Sequence, residues 1–180
     1  MDCIEAVKGR RSIRRYKALD VSEESLRQVL EALRWSPSGG NIQPWEVVVV
    51  KDHATKLKLQ ETLGAANPAR KSLVQAPVVL VLCGKVEIPD TYRGESKTKF
   101  GNWWFMFHLG SAAQNLCLAA YHLNLGTLMV GFFDHDRVKE LLLVPDGYEV
   151  VLLIPIGYPE RDPSAPQRRT IDEFLHYERF

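Results

Sequence analysis

The sequence predicts an α+β fold, with helices layered on one mixed central sheet. Three observations predict it. Three runs dense in aliphatic and β-branched residues, 45–50, 77–84 and 148–158, read as strands. Segments 22–34 and 103–124 carry apolar residues at helical spacing. The 180 residues, 46% of them apolar, bury about 70% of the extended chain's surface, enough for a single domain over 1–180.

The elements follow in order. Residues 2–9 read as a short helix with Ile4 and Val7 on one side, and 10–20 as irregular chain. Ser22 is an N-cap, with Glu23 and Glu24 in the first turn, where the helix dipole favours them. Leu26, Val29, Leu30 and Leu33 then recur at i, i+3, i+4 and i+7. Two Pro and two Gly make 36–44 a loop, and WEVVVV at 45–50 a strand expected to be buried on both faces. Asp52 caps a helix to about residue 65, and Asn67-Pro68 restarts a shorter one with Pro at its first position. After the strand 77–84, residues 85–102 are polar and aperiodic, and are expected to form a lid loop. Leu109, Ala112, Ala113, Leu116, Ala119, Ala120 and Leu123 give the longest helix a broad apolar face whose alanines permit close helix approach. A short strand at 127–131, a helix capped by Asp134 and the strand 148–158 complete the core, with Pro155 demoting part of that strand to an edge or bulge. Residues 159–180 form a Pro-rich tail with a short helix started by a Thr170/Glu173 capping box.

Charge and composition exclude several classes. Net charge is +1 with 25% charged residues, and mean hydropathy is −0.17, which argues against a strongly basic nucleic-acid binder and against disorder. No apolar run is long enough for a membrane span, and the N-terminus lacks a signal-peptide core. Three widely spaced cysteines form no framework, so a reducing, cytoplasmic setting is expected. The charge is uneven, however. Lys8, Arg10, Arg11, Arg14, Arg15 and Lys17 face only Asp2 and Glu5 within residues 1–17, leaving −3 for the remainder, and Arg168-Arg169 form a second basic pair. These clusters are either solvated surface or an anion site, since guanidinium presents a planar fork to phosphate.

Familiar catalytic patterns are absent. There is no GxGxxG, phosphate loop or GxSxG, and the five histidines show no i, i+3 or i+4 pairing, so no metal site is expected. No side chain stands out as nucleophile or base, which leaves room for a cofactor to carry the reactive atoms.

RRSIRRY at 10–16, followed by WSPSGGNIQPWEVVVV at 35–50, resembles the FMN-dependent nitroreductase family. GSAAQNLCLAAYHLNLGTLMVGFF at 110–133 and VVLLIPIGYPERDPSAPQRR at 150–169 are similar to its central helix and last strand with basic tail. The resemblance implies a three-layer α/β/α sandwich and an intertwined homodimer with FMN at the subunit interface. It also implies hydride transfer from NADH or NADPH to flavin N5, then ping-pong reduction of a small electrophile such as a nitroaromatic or quinone. Reductive dehalogenation or flavin-consuming chemistry on the same fold, or a non-catalytic flavin-binding module, are the alternatives. Neither nucleic acid nor membrane is implied as a partner.

The same resemblance assigns residues. Arg10, Ser12 and Arg14, with Arg11 through its backbone, match positions that hold phosphate and ribityl chain, and Arg168 and Arg169 match tail residues closing on the same phosphate. Pro37, Ser38, Gly39 and Asn41 match the loop reaching the partner's flavin, with Gln43 a second ligand or a strand cap. Val130 and Gly131 lie where the family places a backbone N–H near N5, a donor that stabilises charge on the reduced ring without a catalytic side chain. Asn67, Arg70 and Lys71 are candidates for the pyrimidine edge, Lys71 being preferred, and a capped surface helix is the alternative reading of the stretch. Two departures stand out: His108 replaces a commonly acidic residue, and 102–107 is densely aromatic. Trp103 and Trp104 are either core or a stacking wall for the substrate.

Overall fold

The computed structural model describes residues 2–86, 91–92, 95–96 and 99–180. Its four-stranded sheet runs in the order β1-β2-β6-β5, with β1 Trp45–Val50, β2 Val78–Lys85, β5 Gly126–Thr127 and β6 Tyr148–Gly157. All three pairings are antiparallel, and the parallel component is a single bridge between Ser12 and Thr127. Of the lid expected over 85–102, residues 87–90, 93–94 and 97–98 lie outside the described residues. The described part includes a minimal hairpin of β3 Thr91–Tyr92 with β4 Glu95–Ser96.

Strand alternation builds the layers. Along β2, Val78, Leu80 and Leu82 pack with Ile154 and Ile156 against α2 Glu23–Arg34 and α5 Phe105–His122. Val79, Val81 and Cys83 face the other way, against Leu59 of α3 His53–Glu61, Leu73 of α4 Arg70–Gln75 and Val138 of α6 His135–Leu141. A bulge opposite Leu82 and Cys83 slips the register by one residue, so Val150 and Leu153 share that second face. Helices on both faces of one sheet make the α+β sandwich that the sequence predicts.

Local signals behave as chemistry requires. Asp2 caps α1 Cys3–Gly9 in a capping box with Glu5, and Ser22, Asp52 and Asp134 each accept a backbone N–H of their helix's first turn. Gly84 lets α5 approach the sheet, for a Cβ there would stand 2.3 Å from Leu109.

Four expectations are corrected. β1 is an edge strand, not a strand buried on both faces: Val49 is 39% exposed and Val50 is its one buried residue. β6, conversely, is central despite Pro155. The Pro155 carbonyl accepts from Leu128 N–H at 3.3 Å, so its nitrogen turns toward the same side, where β5 has ended at Thr127 and no ladder bond is lost. Pro68 lies in a turn before α4, held by Asn67 Oδ1 accepting from Ala69 N–H at 2.9 Å. The tail's capping box forms, but it caps one 3₁₀ turn, Ile171–Glu173.

Every residue from 160 to 180 is exposed, Phe174, Leu175, Tyr177 and Phe180 included. The chain's accessible surface, 11555 Å², exceeds the roughly 8,900 Å² expected for a compact monomer of this mass by about 30%.

Candidate functional site

The basic segment 10–17 is pinned by its apolar members. Ile13 and Tyr16 are buried with Ala76. Ile13 N–H donates to Thr127 O at 2.9 Å, Lys17 N–H to Tyr158 O at 2.9 Å, and Glu160 N–H to Arg15 O at 3.0 Å. A Cβ on Gly126 would stand 2.5 Å from Ile13, so only glycine lets the segment press this closely on β5. Tyr16 Oη lies 2.9 Å from Ile13 O and 3.0 Å from Pro155 O, and burial pushes its phenol far above the ordinary value.

The segment so held presents its charges to two cavities. One, of about 530 Å³, is lined by Ser12, Arg14, Arg15, Pro68, Lys71, Gln75, Glu160, Arg161 and Pro163. The other, of about 590 Å³, takes Arg10, Arg11, Lys17, Tyr121 and Thr127 among its walls and shares Glu160, Arg161 and Pro163 with the first. Arg10 Nε is buried and finds no acceptor among the described residues, a costly state for a cationic donor unless a ligand supplies one. Arg11 Nη1 is spent on the Lys8 and Arg10 carbonyls.

The three candidates at 67–71 differ in what their side chains touch. Asn67 Nδ2 donates to Phe132 O at 3.0 Å, and Arg70 Nη1 donates to Leu63 O. Both side chains are tied to backbone, whereas Lys71 is exposed at the cavity of Ser12 and Arg14. At 130–131, Val130 N–H is committed to Leu153 O at 2.9 Å. Gly131 is exposed, and its N–H meets no protein acceptor among the described residues.

The loop at 36–43 forms a different cluster. Ser36 Oγ is buried and accepts from Asn115 Nδ2 at 2.9 Å, and Ser38 Oγ accepts from Gln43 N–H at 3.0 Å. Gly40, Asn41 and Gln43 all adopt positive φ, near 57°, 57° and 46°, an uncommon concentration of left-handed backbone. His108, on the first turn of α5, lies under the loop, with Cε1 3.6 Å from where a Gly39 Cβ would be. Trp104 stacks on Phe107 at 5.1 Å and meets His108 edge-on. Trp103 is 73% exposed and Phe107 60%, so this aromatic group is largely surface.

Pro37, Ser38, Gly39 and Asn41 line neither basic cavity, and neither do Arg168 and Arg169. Arg169 instead lies over the Phe174 ring at 5.5 Å on the exposed tail. Arg161 and Gln75, which the sequence does not single out, line the smaller cavity. The PERDP motif beside the last strand is the one signal that places Arg161 near this end of the sheet.

The nitroreductase family model matches residues 7–73 and 65–158. The chain belongs to the nitroreductase family. A Thermus thermophilus protein named NADH dehydrogenase is 34% identical over 200 residues, covering 97% of this chain and 95% of that one. The Bacillus subtilis FMN reductase (NAD(P)H) is 29% identical, covering 98% and 73%. Among solved structures, an FMN-dependent nitroreductase from Clostridium difficile aligns with a TM-score of 0.81 at 26% identity, over 98% of this chain and 99% of that one. The chain has no helix among its described residues long and apolar enough to cross a membrane, and no described cluster of residues able to hold a metal ion.

Proposed function

We propose that this nitroreductase is an FMN-dependent NAD(P)H oxidoreductase that reduces a small planar electrophile, such as a quinone or nitroaromatic. The observation that carries the reading is the convergence of Ser12, Arg14, Lys71 and Arg161, from three separate stretches of chain, on one cavity beside the unsatisfied Arg10 Nε. FMN fits that donor set: its dianionic phosphate matches the guanidinium groups, each charge-assisted bond being worth about 1.5–3 kcal/mol. Bound there, the flavin supplies a hydride-accepting N5 and a two-electron carrier.

The chain's own residues do the rest. Arg10, Ser12, Arg14 and Arg161 grip the phosphate end. Lys71, exposed at the same cavity, would offer a cation to the flavin ring. Gly131 would offer the flavin ring its unspent N–H, a donor that Val130 cannot provide. The loop with Pro37, Ser38, Gly39 and Asn41, which lines neither cavity in its own chain, would complete the site of a second copy. Arg168 and Arg169, on an arm exposed in the single chain, are left free to close on that interface. A homodimer also accounts for the surplus surface and for the apolar residues along the arm. Trp103, Trp104 and Phe107 give a flat aromatic surface beside the loop, suited to an aromatic acceptor or a nicotinamide ring.

The test is the visible spectrum of the purified protein. It is expected to show bound flavin, to bleach with NADH or NADPH without oxygen, and to recover on adding a quinone. Light scattering is expected to find the flavin in dimers. A colourless protein that FMN cannot reconstitute, or a fully flavinylated monomer, would overturn the reading.

A further inference from the structure

Three successive backbone carbonyls, at 130–132, are each held by a different partner. Val130 O accepts from Leu153 N–H at 2.9 Å. Gly131 O lies 3.2 Å from His135 Nε2. Phe132 O accepts from Asn67 Nδ2 at 3.0 Å. The segment leaves the sheet here with a glycine at its centre, the residue least able to hold a conformation unaided. The peptides on both sides of Gly131 are therefore fixed from outside: the first carries the unspent Gly131 N–H opposite the Val130 carbonyl, and the second, through the Gly131 carbonyl, keeps the glycine from swivelling.

His135 is the unusual member of the three. Its ring stacks on Phe133 at 4.0 Å between centroids, 27° from parallel. Its other nitrogen, Nδ1, lies 2.7 Å from Val150 O on β6. The imidazole thus spans from the central sheet to the Gly131 carbonyl, with the flat contact to Phe133 setting its plane. A hydrogen on Nε2 makes the contact with the Gly131 carbonyl a hydrogen bond. Leu153 and Val150 stand on the same strand, so the segment around Gly131 is referenced twice to β6, once by backbone and once through His135.

We infer that His135 is a positioning residue for the reaction: it clamps the Gly131 carbonyl so that the Gly131 N–H keeps a fixed aim at the flavin. The inference rests on the flavin reading above for its consequence, but the clamp itself exists in the chain without cofactor. Catalytic donors of this backbone type act by being preorganised, and misplacement by about 1 Å costs about a hundredfold in rate.

The experiment uses the full chain, with and without FMN. H135F keeps a ring to stack on Phe133 and removes both ring nitrogens, while H135N keeps an amide donor. In the flavin-free protein, amide hydrogen exchange across 130–132 is expected to quicken in H135F, with exchange along β2 unchanged. In the FMN-loaded protein, H135F is expected to lower the rate of flavin reduction at saturating NADH by about tenfold, with KM for NADH and the FMN Kd within about threefold. The flavin midpoint potential is expected to fall, and H135N to recover part of each loss. Should H135F fail to fold, H135N is read alone against the wild type by the same measures. Unchanged exchange at 130–132, or an unchanged reduction rate and potential in a variant that binds FMN normally, would overturn the clamp and leave the flavin reading standing. A wild type that binds no flavin would overturn that reading, whatever the exchange shows.

Discussion

The Tyr16 hydroxyl lies 3.0 Å from the Pro155 carbonyl, joining the arginine segment near the N-terminus to the central strand of the sheet. That carbonyl belongs to a residue whose own nitrogen donates nothing, and it faces the end of β5. Tyr16→Phe keeps the buried ring and removes the tie. It is expected to cost about 1 kcal/mol in denaturant melts, and to weaken FMN because Arg14 and Ser12 lose their fixed register. Unchanged stability and affinity would detach the arginines from this anchor.

The arginines should discriminate between flavins. Arg10→Ala and Arg14→Ala are expected to weaken FMN by about tenfold or more, one charge-assisted bond each. Riboflavin, lacking the phosphate, should be affected much less. Fluorescence titration with both ligands measures the difference, and equal losses would contradict a phosphate role.

Arg70 and Lys71 are adjacent and should behave oppositely. Arg70 holds the Leu63 carbonyl, so Arg70→Ala is expected to cost stability, about 1–3 kcal/mol, with little effect on turnover of the folded fraction. Lys71 is exposed at the cavity, so Lys71→Ala is expected to leave the melt within about 0.5 kcal/mol of wild type and to slow flavin reduction. Thermal melts beside stopped-flow reduction by NADH separate the two.

Thiol chemistry supplies a pH prediction. Burial pushes the Cys83 thiol up to about 11 and also raises Cys117, whereas Cys3 is exposed. At about pH 8 one thiol per native chain should react with a disulfide reagent, and all three after denaturation. The folded chain holds the Cys83 proton more tightly than the unfolded one. Its contribution to stability is thus complete below the ordinary thiol value of 9.0 and is lost as pH rises toward about 11. The stability difference between wild type and Cys83→Ala, followed by denaturant melts across that window, should shrink with rising pH.

Signals confined to a few residues were readable in the sequence. Ser22, Asp52 and Asp134 announce their helices because a cap acts on N–H groups two or three residues away. Strand burial is not local, and WEVVVV reads alike at an edge or in the centre. Pro155 misleads for a related reason: which side its nitrogen faces depends on where β5 stops. At the site, RRSIRRY was legible as a basic motif, but its partner Arg161 arrives through the Arg15–Glu160 bond, made between residues far apart in the chain. Val130 and Gly131 were equivalent candidates in the sequence, and the ladder bond from Val130 to Leu153 distinguishes them.

The bridge between Ser12 and Thr127, and that between Tyr16 and Pro159, carry a consequence for biosynthesis. Residues 10–17 are synthesised well before their backbone partners at Thr127, Tyr158 and Glu160. A nascent chain must therefore carry its arginines unanchored until that distant segment has emerged. Loop closure of this span belongs to the slow, late steps of folding. Flavin capture should accordingly be a finishing event, and a nascent chain arrested before the last strand should emerge colourless.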